Sequence, residues 1–229
     1  MPRLLRNMTA IDRILDRLRG RYGAPRVHRR LPPLDELVLT ILSQNTSDRN
    51  CERAYAAMRE RFPAWEEVRD APTAELENVL RPGGLAAQKA PRIQAVLAEL
   101  SQDGRPHLDW LGGLAPAEAI ARLVALPGVG PKTASCVLLF SLDVPVMPVD
   151  THVHRVALRL GLIPAGTSAD QAHAILTELV PAARMLEAHL LLIAHGRATC
   201  AARRPRCDGC VLLDGCPHGV VVLAETNLL

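Results

Sequence analysis

Four cysteines near the C-terminal end of the sequence are the residues best suited to chemistry. Their spacing is Cys200-x6-Cys207-x2-Cys210-x5-Cys216. Thiolates grouped in a short loop are typical ligands of an iron–sulfur cluster or of a tetrahedral zinc ion. The spacing favours the cluster, because zinc sites usually pair two Cys-x2-Cys motifs and this loop contains one. Disulfides do not fit a chain expected in a reducing compartment.

The loop between the first two of these cysteines is basic. It contains Arg203, Arg204 and Arg206. Guanidinium groups bind phosphate well, although exposed arginines are often only solvated surface. The loop is therefore a candidate phosphate-binding segment that a metal centre would hold in shape.

Lysine is rare in this sequence, in which only Lys89 and Lys132 occur among 27 basic residues. A GC-rich genome would explain this bias, because such genomes favour arginine codons. Lysine differs from arginine in chemistry, however, since its amine can lose a proton and act as a nucleophile. Each of the two lysines is therefore a candidate for a role that arginine could not fill.

Lys132 closes the segment Leu126-Pro-Gly-Val-Gly-Pro-Lys132, which lies between two amphipathic helical patterns. Gly128 and Gly130 permit a tight hairpin, and Pro131 is typical of the first residue of a helix. Free N–H groups at such a helix start bind phosphate, and a cation there is electrostatically disfavoured. Lys132 is accordingly a nucleophile in its neutral form or, alternatively, a phosphate-binding lysine.

The segment Val149-Asp-Thr-His152 contains the best candidate carboxylate. Asp150 is a natural N-cap for the helix that follows, and a capping carboxylate can still direct one oxygen into a cleft. His152 is as compatible with packing or capping as with catalysis.

The composition is that of an ordinary globular protein. The chain has 229 residues, 48% hydrophobic and 22% charged residues, and a net charge of +3. These values exclude disordered and fibrous classes. No apolar run approaches the ~20 residues of a membrane span, and the N-terminal residues lack the apolar core of a secretory signal. We expect a protein of the cytosol that does not associate with membranes.

Hydrophobic residues recur with helical periodicity along nearly the whole sequence, which predicts an all-α fold. Thr9 is a predicted N-cap, and the Val220–Leu223 run is the one strand-like segment. Cys51 and Cys136 lie in helical patterns and are expected to be buried. We predict helices from about residue 10, from Pro33, and over 48–61, 73–80, 86–102, 116–125, 131–141, 151–160, 168–180 and 182–195.

Positive charge is concentrated at the two ends of the chain. The first thirty residues contain nine arginines and two aspartates, and the cysteine loop is also basic. If the two ends share a face, that face favours nucleic acid over membrane as a partner.

Three motifs taken in order resemble the endonuclease III family of DNA glycosylases, which carry a helix-hairpin-helix and a [4Fe–4S] cluster. They are Leu126-Pro-Gly-Val-Gly-Pro-Lys132, Val149-Asp-Thr-His152 and the four-cysteine spacing, and the resemblance covers roughly residues 9–218. It implies a two-lobed fold, with a six-helix barrel over 26–144 and an iron–sulfur lobe formed by 1–25 and 145–229. Its implied partner is double-stranded DNA with a damaged base or an abasic site, bound by a monomer in the bacterial cytoplasm.

The resemblance also implies roles for individual residues. Lys132 would be the Schiff-base nucleophile, Asp150 the catalytic carboxylate and His152 a residue of the substrate pocket. The implied activity is removal of oxidised pyrimidines, such as thymine glycol, followed by β-elimination at the abasic site. Predicted DNA contacts outside the arginine loop are Gly128, Val129 and Gly130 of the hairpin, Gln44 or Asn45 as a gap-filling residue, Leu85 as an apolar wedge, and Lys89 as a phosphate contact.

Two other functions compete with this one. Mismatch adenine or thymine glycosylases share the hairpin and the cluster spacing, but the adenine-specific members usually lack the hairpin lysine and carry a further C-terminal domain. Here Lys132 is present and only residues 217–229 follow the last cysteine. A non-catalytic, DNA-binding iron–sulfur protein is the alternative from another class, and it predicts binding without turnover.

Overall fold

The computed structural model describes residues 10–25, 30–101 and 104–226. All regular secondary structure in these ranges is helical, which confirms the all-α prediction. The chain divides into two compact units. The central unit is Arg30–Val144, and the terminal unit combines Met1–Arg29 with Pro145–Leu229 as far as they are described. No described helix is long and apolar enough to cross a bilayer.

Twelve α-helices occur in the described residues. The terminal unit contains α1 (Ala10–Tyr22), α9 (Thr151–Arg159), α10 (Ala169–Leu179), α11 (Met185–Ala198) and α12 (Pro217–Thr226). The central unit contains α2 (Pro33–Ser43), α3 (Asp48–Arg61), α4 (Trp65–Asp70), α5 (Thr73–Leu80), α6 (Ala86–Glu99), α7 (Pro116–Val124) and α8 (Pro131–Leu142). Short 3₁₀ segments lie at Arg81–Gly83, Asp109–Gly113, Ala182–Arg184 and Leu213–Gly215.

Two features differ from the sequence-based expectation. The expectation that Val220–Leu223 is strand-like is wrong, because these residues belong to α12, which begins at Pro217. Helix α4 was not predicted, since six residues are too few to show helical periodicity. The predicted cap Thr9 lies outside the described residues.

The core of the central unit explains the position of Lys132. Helix α8 packs against α2, and every residue of α8 from Thr133 to Leu139 is buried. The first turn of α8 is less enclosed, and Lys132 in that turn is only half-buried. The helix is therefore anchored by its middle and leaves the lysine at the edge of the core.

The terminal unit is organised around α11, which packs against α9 and α1. Ile11, Leu15 and Leu18 form the buried face of α1. The Arg184 guanidinium contacts the carboxylates of Asp12, at 3.2 Å, and Glu187, at 2.9 Å. These contacts join the N-terminal helix to the C-terminal part of the chain.

Candidate active site

The hairpin before α8 has the geometry that its glycines predict. Gly128 adopts a φ of 72°, which disfavours any residue with a side chain. The Val129 amide donates to the carbonyl oxygen of Leu126 at 3.1 Å, and the Val129 side chain is buried. Gly130 is the N-cap of α8, and no side chain caps that helix end. The first amides of α8 thus retain the capacity to bind an anion.

Glu36 on α2 is a titratable neighbour of Lys132 that the sequence analysis missed. Its Oε1 accepts a hydrogen bond from the Thr40 hydroxyl at 3.2 Å. Burial raises the pKa of the Glu36 carboxyl from 4.5 to about 7, and the hydrogen bond from Thr40 and the charge of Lys132 oppose this rise. In sequence, Glu36 is an ordinary acidic residue of a first helical turn, and only the packing of α2 on α8 reveals its burial.

Replacing Glu36 with Gln is expected to stabilise the protein at alkaline pH and to have little effect at acidic pH. The folded state holds the Glu36 proton more tightly than the unfolded chain does, so stability falls as pH rises from 4.5 to about 7. A pKa raised by this much lowers the free energy of unfolding by about 3 kcal/mol at most above this pH window. Melting temperatures on both sides of this window test the prediction, with Glu60→Gln as the exposed control. A Glu36→Gln effect that is the same at both pH values would contradict it.

The two predicted gap-filling loops share an unusual backbone conformation. Asn45 and Leu85 have φ values of 53° and 52°, in the left-handed region that non-glycine residues seldom adopt. Asn45 is exposed, and the Leu85 side chain is 44% exposed despite being apolar. Gln44 is only half-buried, but its Oε1 accepts a hydrogen bond from Arg92 Nη1 at 3.0 Å.

The prediction that Lys89 contacts DNA phosphate is wrong. Its side chain is 2% exposed, and Nζ donates to the carbonyl oxygens of Leu42 at 2.6 Å and Gly83 at 3.0 Å. Burial also lowers the pKa of Lys89. A side chain enclosed in this way cannot reach a phosphate, so Lys89 has a role inside the central unit.

Asp150 is the N-cap of α9. Its Oδ1 accepts hydrogen bonds from the amides of His152 at 2.9 Å and Val153 at 2.7 Å. Within the described residues, Oδ2 accepts no hydrogen bond from another group. The capping role and a second role for the other oxygen are therefore compatible in one side chain.

His152 is held by an arginine that sequence reasoning did not single out. Arg155 Nη2 donates to His152 Nδ1 at 3.1 Å and to the Gly196 carbonyl oxygen at 2.9 Å. Arg155 Nε also donates to the carbonyl oxygen of Cys200 at 3.0 Å. One guanidinium thus joins the start of α9 to the end of α11 and to the first cysteine of the loop.

The four cysteines of the loop line one pocket of the terminal unit, together with Arg159, His195 and other residues. Each of three cysteine sulfurs has a nitrogen donor nearby. Arg159 Nη1 lies 3.3 Å from Cys200 Sγ, the Leu212 amide 3.4 Å from Cys210 Sγ and the Gly219 amide 3.4 Å from Cys216 Sγ.

The candidate residues fall into two groups. The central unit contains the hairpin, Lys132, the Gln44–Asn45 loop and Leu85. Asp150, His152 and the four cysteines belong to the terminal unit. The arginines of the cysteine loop, Arg203, Arg204 and Arg206, are all exposed.

Comparison with known proteins places the chain in a repair family. Residues 38–182 match the model of the HhH-GPD superfamily of base excision DNA repair proteins. Endonuclease III of Thermotoga maritima is 34% identical over 84% of this chain and 86% of its own length. The chain belongs to the endonuclease III family. A putative DNA glycosylase of Arabidopsis thaliana is 40% identical over 72% of this chain but only 56% of its own length. A solved non-covalent endonuclease III–DNA complex superposes with a TM-score of 0.77 at 30% identity, covering 93% of this chain and 97% of that one.

Proteins of the endonuclease III family generally contain a [4Fe–4S] cluster, and the cysteine pocket fits such a group. Burial raises the pKa of the Cys207 thiol, and the charges of the three other cysteines raise it further. Four thiolates in one pocket therefore need positive charge to be stable, and iron supplies it. The N–H groups of Arg159, Leu212 and Gly219 that lie near the sulfurs would also stabilise negative charge on sulfur ligands. Within the described residues, no three His, Cys, Asp or Glu side chains converge on a point that would hold a single metal ion.

Proposed function

We propose that the chain is a bifunctional DNA N-glycosylase and abasic-site lyase that removes oxidised pyrimidines such as thymine glycol. The observation that carries the proposal is Lys132. It is an amine in the partly open first turn of a helix that follows a Gly-Val-Gly hairpin, in a chain of the endonuclease III family. The protein is proposed to act as a monomer in the bacterial cytoplasm.

The reaction assigned to Lys132 begins after the damaged nucleotide is flipped out of the duplex. The Nζ lone pair forms a bond to the sugar C1′ as the glycosidic bond breaks and its electrons leave with the base. Loss of a proton from the amine and opening of the sugar ring give an imine. Removal of a C2′ proton then breaks the C3′–O bond, and this β-elimination nicks the strand.

Asp150 is assigned the role of stabilising the positive charge that develops on the sugar. Its Oδ1 is occupied by the α9 cap, which fixes the carboxylate, and Oδ2 remains for the substrate. A carboxylate about 4 Å from a sugar cation stabilises it by about 4 kcal/mol at an effective dielectric constant near 20. This energy corresponds to roughly a thousandfold in rate. His152, whose Nδ1 is bonded to Arg155, would present its other ring nitrogen to the substrate pocket.

The remaining predicted contacts concern the DNA itself. The hairpin of Gly128, Val129 and Gly130 would bind phosphate through the amides at the start of α8. Leu85 is the proposed apolar wedge. Asn45 is favoured over Gln44 as the second inserting residue, because Asn45 is exposed and Gln44 is bonded to Arg92.

A [4Fe–4S] cluster is proposed to be bound by Cys200, Cys207, Cys210 and Cys216. When bound, it would supply four strong iron–thiolate bonds to a loop that otherwise has little regular structure. The loop would then present Arg203, Arg204 and Arg206 to the DNA backbone. This makes the cluster a structural element, and no reaction step is assigned to it.

Purified protein is expected to contain iron and acid-labile sulfide at about four of each per chain. Cys207→Ser should lower both contents together with the visible absorbance of the cluster. Cys51→Ser is the matched control, because Cys51 is also buried but lies in the central unit. One zinc ion per chain, or equal iron contents in the two variants, would refute the assignment.

The proposed function is tested by incubating the protein with duplexes that contain one thymine glycol. A bifunctional enzyme releases the base and leaves a nicked strand with an unsaturated sugar at its 3′ end. Undamaged duplex, an adenine–guanine mismatch and a thymine–guanine mismatch serve as comparisons. Binding without cleavage would favour the non-catalytic alternative, and cleavage of a mismatch alone would favour the mismatch-specific one.

A further inference from the structure

Lys89 is a buried cation that the proposed chemistry does not use. It lies in the first turns of α6, and within the described residues Nζ donates its hydrogen bonds to two backbone carbonyl groups, those of Leu42 and Gly83. Removing an ammonium group from water is unfavourable unless it is well bonded. An apolar residue would fill this position without that penalty, so the ammonium group itself needs an explanation.

The two carbonyl groups lie at the ends of two different helical segments. Leu42 is in the last turn of α2, and the Gln44–Asn45 loop follows that helix. Gly83 ends the 3₁₀ segment Arg81–Gly83, directly before Gly84 and Leu85. Carbonyl groups at helix ends lack intrahelical partners and carry partial negative charge. One Lys89 ammonium therefore binds the ends of both helical segments at once.

The loops held in this way contain the strained residues. Asn45 lies three residues after Leu42, and Leu85 lies two residues after Gly83. Together with Asp143, they are the non-glycine residues with positive φ in the part of the chain that the structure describes. Such a conformation is unfavourable by about 1–3 kcal/mol and persists only where its surroundings enforce it.

Arg92, one turn further along α6, contacts the same region. Its Nη1 donates to Gln44 Oε1 at 3.0 Å. Its guanidinium and Cδ also lie so close to Gly128 that a Cβ added there would be 2.5 Å from Arg92 Nε. Helix α6 therefore contacts the Gln44–Asn45 loop, the Gly83–Leu85 turn and the hairpin.

We propose that Lys89 is a positioning residue that holds Asn45 and Leu85 in register, so that both enter the gap left by the flipped nucleotide. Lys89 touches neither DNA nor the reacting atoms. It acts through the two carbonyl groups, which set where each loop leaves its helix. The inference rests on the proposed glycosylase and lyase function.

The test compares β-elimination at an abasic site in duplex DNA with elimination at the same site in single-stranded DNA. Only the duplex contains an opposing strand and a gap to fill. Lys89→Met removes the ammonium group while keeping an unbranched stem. The ratio of the duplex rate to the single-strand rate should fall about tenfold to a hundredfold, the range expected when a positioned group is displaced by about 1 Å.

Ile93→Ala is the matched control. Ile93 is also fully buried on α6, and its truncation destabilises the core without removing a bond to either loop. Loss of folded protein lowers both rates by the same factor and leaves their ratio unchanged. Fluorescence of 2-aminopurine placed opposite the abasic site gives a second readout, because insertion of the loops unstacks that base.

The outcomes separate the two proposals. No product from the wild-type protein on either DNA would overturn the proposed function. Wild-type activity with the same rate ratio for Lys89→Met and Ile93→Ala would overturn only the role of Lys89. If Lys89→Met does not fold, Lys89→Gln, which keeps one donor group, is compared with Ile93→Ala by the same ratio and the same criterion.

Discussion

Replacing Lys132 with Gln is expected to lower the rate of strand nicking at an abasic site by at least about a thousandfold. Glutamine has a similar length but no basic amine, so the imine cannot form. The substitution leaves the anchored part of α8 intact, because Lys132 is half-buried in the first turn and the buried part of the helix begins at Thr133. The rate is measured on a labelled abasic duplex under single-turnover conditions.

Lys132→Arg separates nucleophilic chemistry from charge. Arginine keeps a cation near the hairpin and binds phosphate well, but it does not give up its proton. We expect Lys132→Arg to bind abasic duplex nearly as tightly as the wild-type protein and to nick it no faster than Lys132→Gln. Substantial nicking by Lys132→Arg would return this residue to the phosphate-binding role.

Replacing Asp150 with Asn is expected to slow base release by roughly a hundredfold to a thousandfold while leaving the fold intact. Asparagine is as good an N-cap as aspartate, so the bonds to the amides of His152 and Val153 can be kept. Only the negative charge is lost, and this charge is the part assigned to the sugar cation. Release of thymine glycol and the melting temperature are measured on the same preparation.

The capping role alone makes the opposite prediction. If Asp150 only caps α9, Asp150→Asn should have normal turnover, and Asp150→Ala should lose about 1 kcal/mol of stability. Normal turnover of Asp150→Asn would therefore remove the carboxylate from the mechanism. Ser168→Ala, which removes the N-cap of α10 in the same unit, is the control for loss of a cap.

The sequence predicted the helices well because their signals are local. Pro33 and Pro131 both stand at helix starts, and the buried apolar residues of α1 and α2 recur with helical periodicity. The errors occurred where local signals mislead. The valines of residues 220–223 favour strands by type, but they follow a proline that starts a helix.

Lys89 shows where local reasoning fails at the site. It was predicted to contact phosphate, yet it is buried against two carbonyl groups that are 47 and 6 residues away in the chain. Glu36 was missed for the same reason, because its burial depends on the packing of α2 against α8. Asp150 was predictable, since a cap interacts with residues two and three positions later.

The central claim is that the Lys132 amine forms a covalent bond with DNA, and borohydride reduction during reaction tests it most directly. The chain contains two lysines, and Lys89 is enclosed, so the trapped site can be identified without ambiguity by mass spectrometry of the digested adduct. We predict a reduced adduct on the peptide that contains Lys132, from both abasic and thymine-glycol duplexes. No adduct, or an adduct on the α-amino group or on Lys89, would contradict the account.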